Sequence, residues 1–296
     1  MRVFVVGATG ALGRTVLAEL LSHSHKVAAL ARSQDKATLL AGWGVEAIPG
    51  DILAPASFQH ALQGIDVVCN LASAVPAPHS PRTAWLMNDV LMQQGTRGLL
   101  ASALRVGVRY FVQQSSLDLY LPGGGAWLDE QSAVAPPQHL RAVADAEEMV
   151  AQGGIPFAIL RAGRYYGQGS LWTQQLAQAA SAGGISLGHR GVNWVSPLHL
   201  FDMAKAIRLC LEQQPQGRTY NVCDDFPMQA ADLLQAVAAA AGVPLQTRDS
   251  APRRPGWRAS NALLRKELGF SPYYPRAVEV PGELAGLALA AKDEVR

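Results

Sequence analysis

"VFVVGATGALGRTV", Val3 to Val16, is the stretch whose reading decides the fold. A run rich in β-branched residues stops at Gly7, and Gly10 and Gly13 follow at intervals of three. Leu12, Val16, Leu17 and Leu20 then recur at helical spacing. A strand that turns through glycines straight into an amphipathic helix is a phosphate-binding turn. One glycine makes the tight turn, one lets backbone approach a pyrophosphate, and one lets the helix pack closely on the strand. The helix N-terminus then presents unpaired N–H groups and a partial positive charge to the phosphates. Glycine spacing alone is a weak signal; set between a strand and a helix it predicts a dinucleotide site on Gly7, Thr9, Gly10, Ala11, Leu12 and Gly13.

Outward from this turn, strand and helix alternate. "KVAALA", "VEAIPG", "DVVCNLA" from Asp66, "RYFVQQS" and "PFAILR" read as further strands, with a long helix from about Thr83 to Val106. Strands that are apolar runs are buried on both faces, and helices between them imply right-handed crossovers. The expected fold is α/β, a doubly wound parallel sheet with a small mixed C-terminal substrate lobe. After Arg161 the rhythm breaks into Gly- and Pro-punctuated segments, with helices at about Leu200–Gln213 and Met228–Ala241. The expected division is a nucleotide-binding domain over 1–162, its sheet completed by about 200–222, and a lobe from 163–199 and 223–296.

Composition excludes several classes. The chain has 296 residues, enough for one large domain or a domain plus a lobe, and only 16% are charged, which is wrong for a disordered protein. A net charge of +2 with scattered basic residues argues against nucleic acid or an anionic membrane as partner. The one basic cluster, "RDSAPRRPGWR" (Arg248–Arg258), reads as a solvated loop, with contact to an anionic substrate group as the minor alternative. No apolar run is long enough to span a membrane or to act as a secretory signal. Cys69, Cys210 and Cys223 fit neither a disulfide framework nor a metal spacing, and the histidines, His23 and His25 included, show no zinc pattern. A reducing cytoplasm is the expected compartment, and "AVAAAAGV" near Ala236 reads as a buried helix.

The second strand addresses which nucleotide is bound. Where an NAD-binding chain puts an acid for the ribose hydroxyls, this one has Ala31, followed by Arg32. An arginine there suits a 2′-phosphate, and Arg14 beyond the third glycine adds charge, so NADP is expected over NAD.

With these residues in view the sequence resembles the extended short-chain dehydrogenase/reductase family, in its epimerase/dehydratase branch, nearly end to end. "GATGALG" matches the nucleotide loop. "GDIL" (Gly50–Leu53) is similar to the segment whose acid and next residue, here Asp51 and Ile52, meet adenine. "NLAS" is similar to the strand end beside the nicotinamide ribose, which implies Leu71, Ala72 and Ser73. "NDVLMQQGTRGLLASA" resembles the helix that usually reads N-x-x-G-T-x-N-L-L, and "RASNALLRKELGFSPYYP" the usual C-terminal helix. "FVQQSSLDLY" resembles the strand with the catalytic Ser, here Ser116. "LRAGRYYGQGS" and "VSPLHLFDMAKAI" resemble the two segments that frame the substrate.

The resemblance implies a Tyr and a Lys four residues apart, the Lys lowering the Tyr pKa and the Tyr moving a proton at the substrate oxygen. Counting back from "DAEEMV" places His139 and Val143 at those sites; a shift of one gives Leu140 and Ala144. No Y-x-x-x-K occurs in the chain. Three readings stay open: an enzyme with another proton donor, a non-catalytic NADP-sensing regulator of the NmrA-like kind, or a non-redox isomerase or cyclase. Donor candidates are His139, Tyr120, Tyr165 and Tyr166, with Asp118 and Asp145 behind them. A lone His at a helix start is more often a cap, and Tyr166, the family's "YG" tyrosine, more often core.

Tyr165, Trp172, Trp194 and His199 lie in the segments expected to face substrate, and few charges accompany them; Arg164, Arg190 and Arg258 are the candidates for a phosphate. The favoured reading is a reductase of a carbonyl or related group on a small, largely apolar molecule, with no metal, nucleic acid or membrane partner; a homodimer is compatible with it.

Overall fold

The computed structural model describes residues 1–77, 80–188, 191–248 and 255–286. Seven parallel strands form its centre: β1 (Arg2–Val6), β2 (Lys26–Ala31), β3 (Glu46–Pro49), β4 (Val67–Asn70), β5 (Tyr110–Ser116), β6 (Phe157–Ala162) and β7 (Arg218–Val222). Their order across the sheet is β7-β6-β5-β4-β1-β2-β3. The chain therefore runs outward from β1 in one direction, returns, and runs outward in the other. Register is continuous across the break, with Val3 beside both Val27 and Val67.

Successive residues of β1 explain why both faces must be covered. Val3 and Val5 enter one core with Val16 and Leu20 of α1 (Ala11–Ser22); Phe4 and Val6 enter another with Ile52 and Leu99. These four side chains are at most 3% exposed, which an alternating polar pattern could not satisfy. Helices α1 and α2 (Gln34–Gly42) follow β1 and β2.

The long helix expected over 83–106 is composite. A 3-10 turn at Arg82–Trp85 leads into α3 (Leu86–Val90), a π-helical turn at Leu91–Gly95 and α4 (Thr96–Arg105). Helix α5 (Arg141–Gln152) lies beside it and is tied to the sheet by a buried ion pair: Glu147 receives both Nε and Nη2 of Arg161, at 3.0 and 2.6 Å, and the Ser115 hydroxyl.

Beyond β6, α7 (Leu200–Gln213) and α9 (Ala262–Leu268) pack with α1 into the core of the sheet, while α6 (Leu171–Ser181) and α8 (Ala230–Ala241) form a separate lobe. Its small core gathers Leu176, Ile185, Leu233 and Val237. Helix α8 starts two residues later than expected because Met228–Gln229 pairs as a strand with Trp194–Val195. Its alanine-rich run is buried on one side only: Val237 and Ala238 face in, Ala239 and Ala240 face out. The three cysteines are buried free thiols. Among the described residues no helix is long and apolar enough to cross a membrane.

Candidate active site

The strand ends of β1, β4 and β5 open into a cleft of about 1200 Å³. At its floor the three glycines take different tasks. Gly7 has φ +84, and a Cβ there would stand 2.7 Å from the backbone of Leu71. Its carbonyl accepts the Gly10 N–H at 3.1 Å, which closes the turn. A Cβ on Gly13 would stand 2.2 Å from that same carbonyl oxygen, so only glycine lets α1 lie this close to β1. A Cβ on Gly10 would meet nothing nearer than 3.4 Å; it would project into the cleft.

Gly10 caps α1 without a side-chain acceptor, and the first turn holds no acid. The N–H groups of Ala11, Leu12 and Gly13, which line the cleft, are thus left to whatever occupies it. A cradle that a side chain would fill, set against open N–H groups, fits a pyrophosphate. Thr9 is half-buried within the turn.

Arg14 and Arg32 are exposed, and among the described residues neither has a carboxylate within salt-bridge distance. Ala31, before Arg32, is buried at 3%. Asp51 spends its carboxylate on the Leu53 N–H, at 2.9 Å, and Ile52 is packed into the core under Gly95. Leu71 and Ser73 line the cleft, with Ala72 between them.

Behind the cleft lies a second, smaller pocket of about 310 Å³. Four residues line both cavities: Asp118, His139, Arg164 and Trp172. They come from four separate segments. Asp118 sits on the 3-10 turn Leu117–Leu119 that follows β5, and His139 on the 3-10 turn before α5, its ring 4.7 Å from that of Trp85. Arg164 follows β6 and lies over the Trp172 ring at 5.4 Å. Burial pushes the Asp118 carboxyl above the usual carboxylate range, partly offset by the charges of Arg164 and His139.

Ser116 supports the turn that carries Asp118. Its hydroxyl accepts the Asp118 N–H at 3.1 Å and caps the turn, and Ser116 is not among the residues lining either cavity. At the position where the resemblance calls for Lys, Val143 packs with Leu119 and Met92 in a small apolar cluster that also takes Leu140. Tyr165 lines the cleft; its buried hydroxyl has Gln114 beside it but no hydrogen-bond partner.

The other candidates lie elsewhere. Tyr120 is fully buried, donates to Asn221 Oδ1 at 2.8 Å and carries Arg161 over its ring. Tyr166 is equally buried and meets the edge of His199. His199 caps α7 by accepting the Phe201 N–H, stacks on Tyr274 at 3.8 Å, and is pushed down to about 4 by burial. None of these three lines either cavity. Asp145 is on the surface, where it accepts from Gln93. Arg190 lies outside the described residues. Arg258 is not in a solvated loop: it lies between the rings of Trp127 and Trp194.

Trp172 and Trp194 do line the smaller pocket, together with Trp257 and Asn193, which the sequence reading missed. Gln114 was missed too. Its signal was a pair of amides, Gln113 and Gln114, inside a strand that is otherwise apolar.

Comparison with known proteins supplies the family. A profile described as NAD(P)H-binding matches residues 7–184. A 3-diazoavenalumate denitrifying reductase from a Streptomyces species is 31% identical over 93% of this chain and 97% of its own length. An NAD(P)H azoreductase from Xenophilus azovorans is 25% identical, over 82% of this chain and 75% of its own. Among solved structures, a UDP-glucose-4-epimerase from Stenotrophomonas maltophila with bound NAD superposes with a TM-score of 0.85 over 97% of both chains at 19% identity, which speaks to the fold. The chain belongs to the NAD(P)H-binding family, as a reductase-like protein on the extended short-chain dehydrogenase/reductase fold.

Proposed function

We propose that the protein is an NADPH-dependent reductase of a flat, largely apolar small molecule, using a proton donor other than the family's tyrosine. One observation carries this reading: the nucleotide cleft and a tryptophan-lined pocket meet at Asp118, His139, Arg164 and Trp172. An open pocket next to ionisable groups supports an enzyme over a protein that responds to NADPH alone. In this reading the substrate lobe is the part of 163–199 and 223–296 built on α6 and α8.

NADPH, when bound, supplies a hydride from the nicotinamide. Gly7, Gly10 and the open N–H groups of α1 hold the pyrophosphate, and Arg32 with Arg14 takes the 2′-phosphate. The hydride acceptor is a C=O group or, as the names of the two reductase relatives suggest, a group with multiply bonded nitrogen. Reducing either a C=O or an N=N bond uses one hydride and one proton. Asp118 holds that proton: burial keeps its carboxyl protonated further up the pH scale than in water. It delivers the proton to the heteroatom, and His139, half-exposed at the junction, returns one from solvent.

NADPH fluorescence with a panel of aryl ketones and azo dyes tests this. Asp118→Asn is expected to lower kcat about 100-fold or more and leave NADPH affinity unchanged. A wild-type rate in that variant removes Asp118 from the mechanism. NADPH that binds but is consumed with no member of the panel overturns the reductase reading in favour of the regulator.

A further inference from the structure

The smaller pocket has a back wall, and a third cavity lies behind it. This outer hollow, about 470 Å³, is lined by Pro122, Gly124, Gly125 and Val192, and shares Asn193, Trp194 and Pro255 with the inner pocket. Trp194 is the largest of the three shared side chains.

Its position is fixed from every side. Its backbone pairs with Gln229 and its carbonyl accepts the Trp257 N–H at 3.1 Å. The Arg258 guanidinium stacks on the ring at 4.2 Å and on Trp127 at 4.3 Å, so the cation lies between two indoles. Two glycines admit the tryptophan: a Cβ on Gly256 would stand 2.4 Å from its backbone nitrogen, and one on Gly125 (φ +113) 3.0 Å from its Nε1. A surface indole free to swing would not be held by a strand pair, a stacked cation and two close backbones.

We propose that Trp194 is the residue that sets substrate length, its indole a fixed wall closing the inner pocket against the outer hollow. The inference rests on reading the inner pocket as the substrate site. The substrate is then a flat ring system whose far end stops at Trp194, with Arg258 and Trp127 as positioning residues that act through it. Removing the indole joins the two cavities and admits a ligand with a longer tail.

The test measures binding, so it does not depend on turnover. The full chain, loaded with NADP⁺, is titrated by calorimetry with 4-alkylacetophenones from methyl to octyl. In the wild type each seated methylene is expected to tighten binding about fourfold until the wall is reached, after which affinity falls. In Trp194→Ala the gain continues for at least two further carbons, and the octyl compound binds at least about fifteenfold tighter than to the wild type. Trp194→Leu, which keeps the lobe apolar, is expected to move the limit the same way by less, as is Arg258→Ala through a loosened indole. An unchanged length limit in all three folded variants overturns the proposal for Trp194. Binding of none of the compounds to any of the four proteins overturns the substrate-site reading beneath it. Compounds that bind with the expected limit but consume no NADPH leave Trp194 as the wall and remove only the reductase reading.

Discussion

The two ends of the cleft are made of different material. The nucleotide end is backbone: three glycines, a helix terminus and the ends of parallel strands. The substrate end is side chains: an aspartate, a histidine, an arginine and tryptophans drawn from separate segments. Backbone cradles tolerate almost no change where chain meets chain, whereas a side-chain pocket tolerates many changes that each alter what fits. Function on this fold therefore varies at one end and is held at the other.

The sharpest way to break that contrast is inside the glycine turn. Gly10→Val is expected to abolish NADPH binding by calorimetry while the melting temperature stays within a few degrees, because the new side chain enters only the cleft. Gly13→Ala is expected to cost about 1–3 kcal/mol of stability in a denaturant titration, because its Cβ meets backbone oxygen that cannot move aside. If Gly13→Ala melts like the wild type, or Gly10→Val binds like it, the division of labour among the glycines is wrong.

Next comes the outer rim of the same end. Arg32→Ala is expected to weaken NADP by about 1.5–3 kcal/mol and NAD hardly at all, the range for a hydrogen bond to a charged group. Equal losses for both cofactors would assign Arg32 to the adenine side or to the fold.

A slower change, spread over pH, concerns a residue that the sequence placed in the substrate end and the structure buries beneath it. His199 is 2% exposed and its pKa is depressed to about 4, so the folded chain refuses a proton that the unfolded chain takes up near 6.5. Its contribution is fully present above 6.5 and is lost as pH falls toward 4. The stability of the wild type relative to His199→Asn is therefore expected to fall across that window, by at most about 1.4 kcal/mol per pH unit. The asparagine can still accept the Phe201 N–H as a helix cap. A difference that does not change with pH would mean that His199 meets water or ligand.

The contrast between the ends also governs what the sequence could disclose. Of β1 through β6 all but the half-exposed edge strand β3 were legible because a strand buried on both faces must be an apolar run, and "GATGALG" because backbone geometry demands glycine at fixed intervals. The π turn at Leu91–Gly95 was not, since inserting one residue into a helix leaves the pattern on either side intact. The pocket was half legible. Trp172 and Trp194 were marked by their segments, but Tyr166 and His199 carried the same marks and are core, because an aromatic residue in a lobe suits a cavity wall and a packed interior equally. Ser116 shows the limit most clearly. Its place on β5 matches the family, yet its hydroxyl is committed to the turn that holds Asp118, a bond visible only once the chain is folded.

The seventh strand gives the molecule a history during synthesis. β7 pairs with β6 along its full length, but residues 163–217, part of the lobe and the core helix α7, lie between them in the chain. Lengthening such a connection adds little to the closure entropy, so the finished protein loses almost no stability by it. Its effect is on time. When the ribosome has released β6, six strands and the helical layer of α3 to α5 can assemble, but the layer that α7 completes beside α1 is unfinished and the outer edge of β6 stays open until Val222 has emerged. An apolar edge waiting for its partner is a template for the wrong one, a second nascent copy above all. The rate at which residues 163–222 are made and folded therefore sets how long each new chain is exposed to that error.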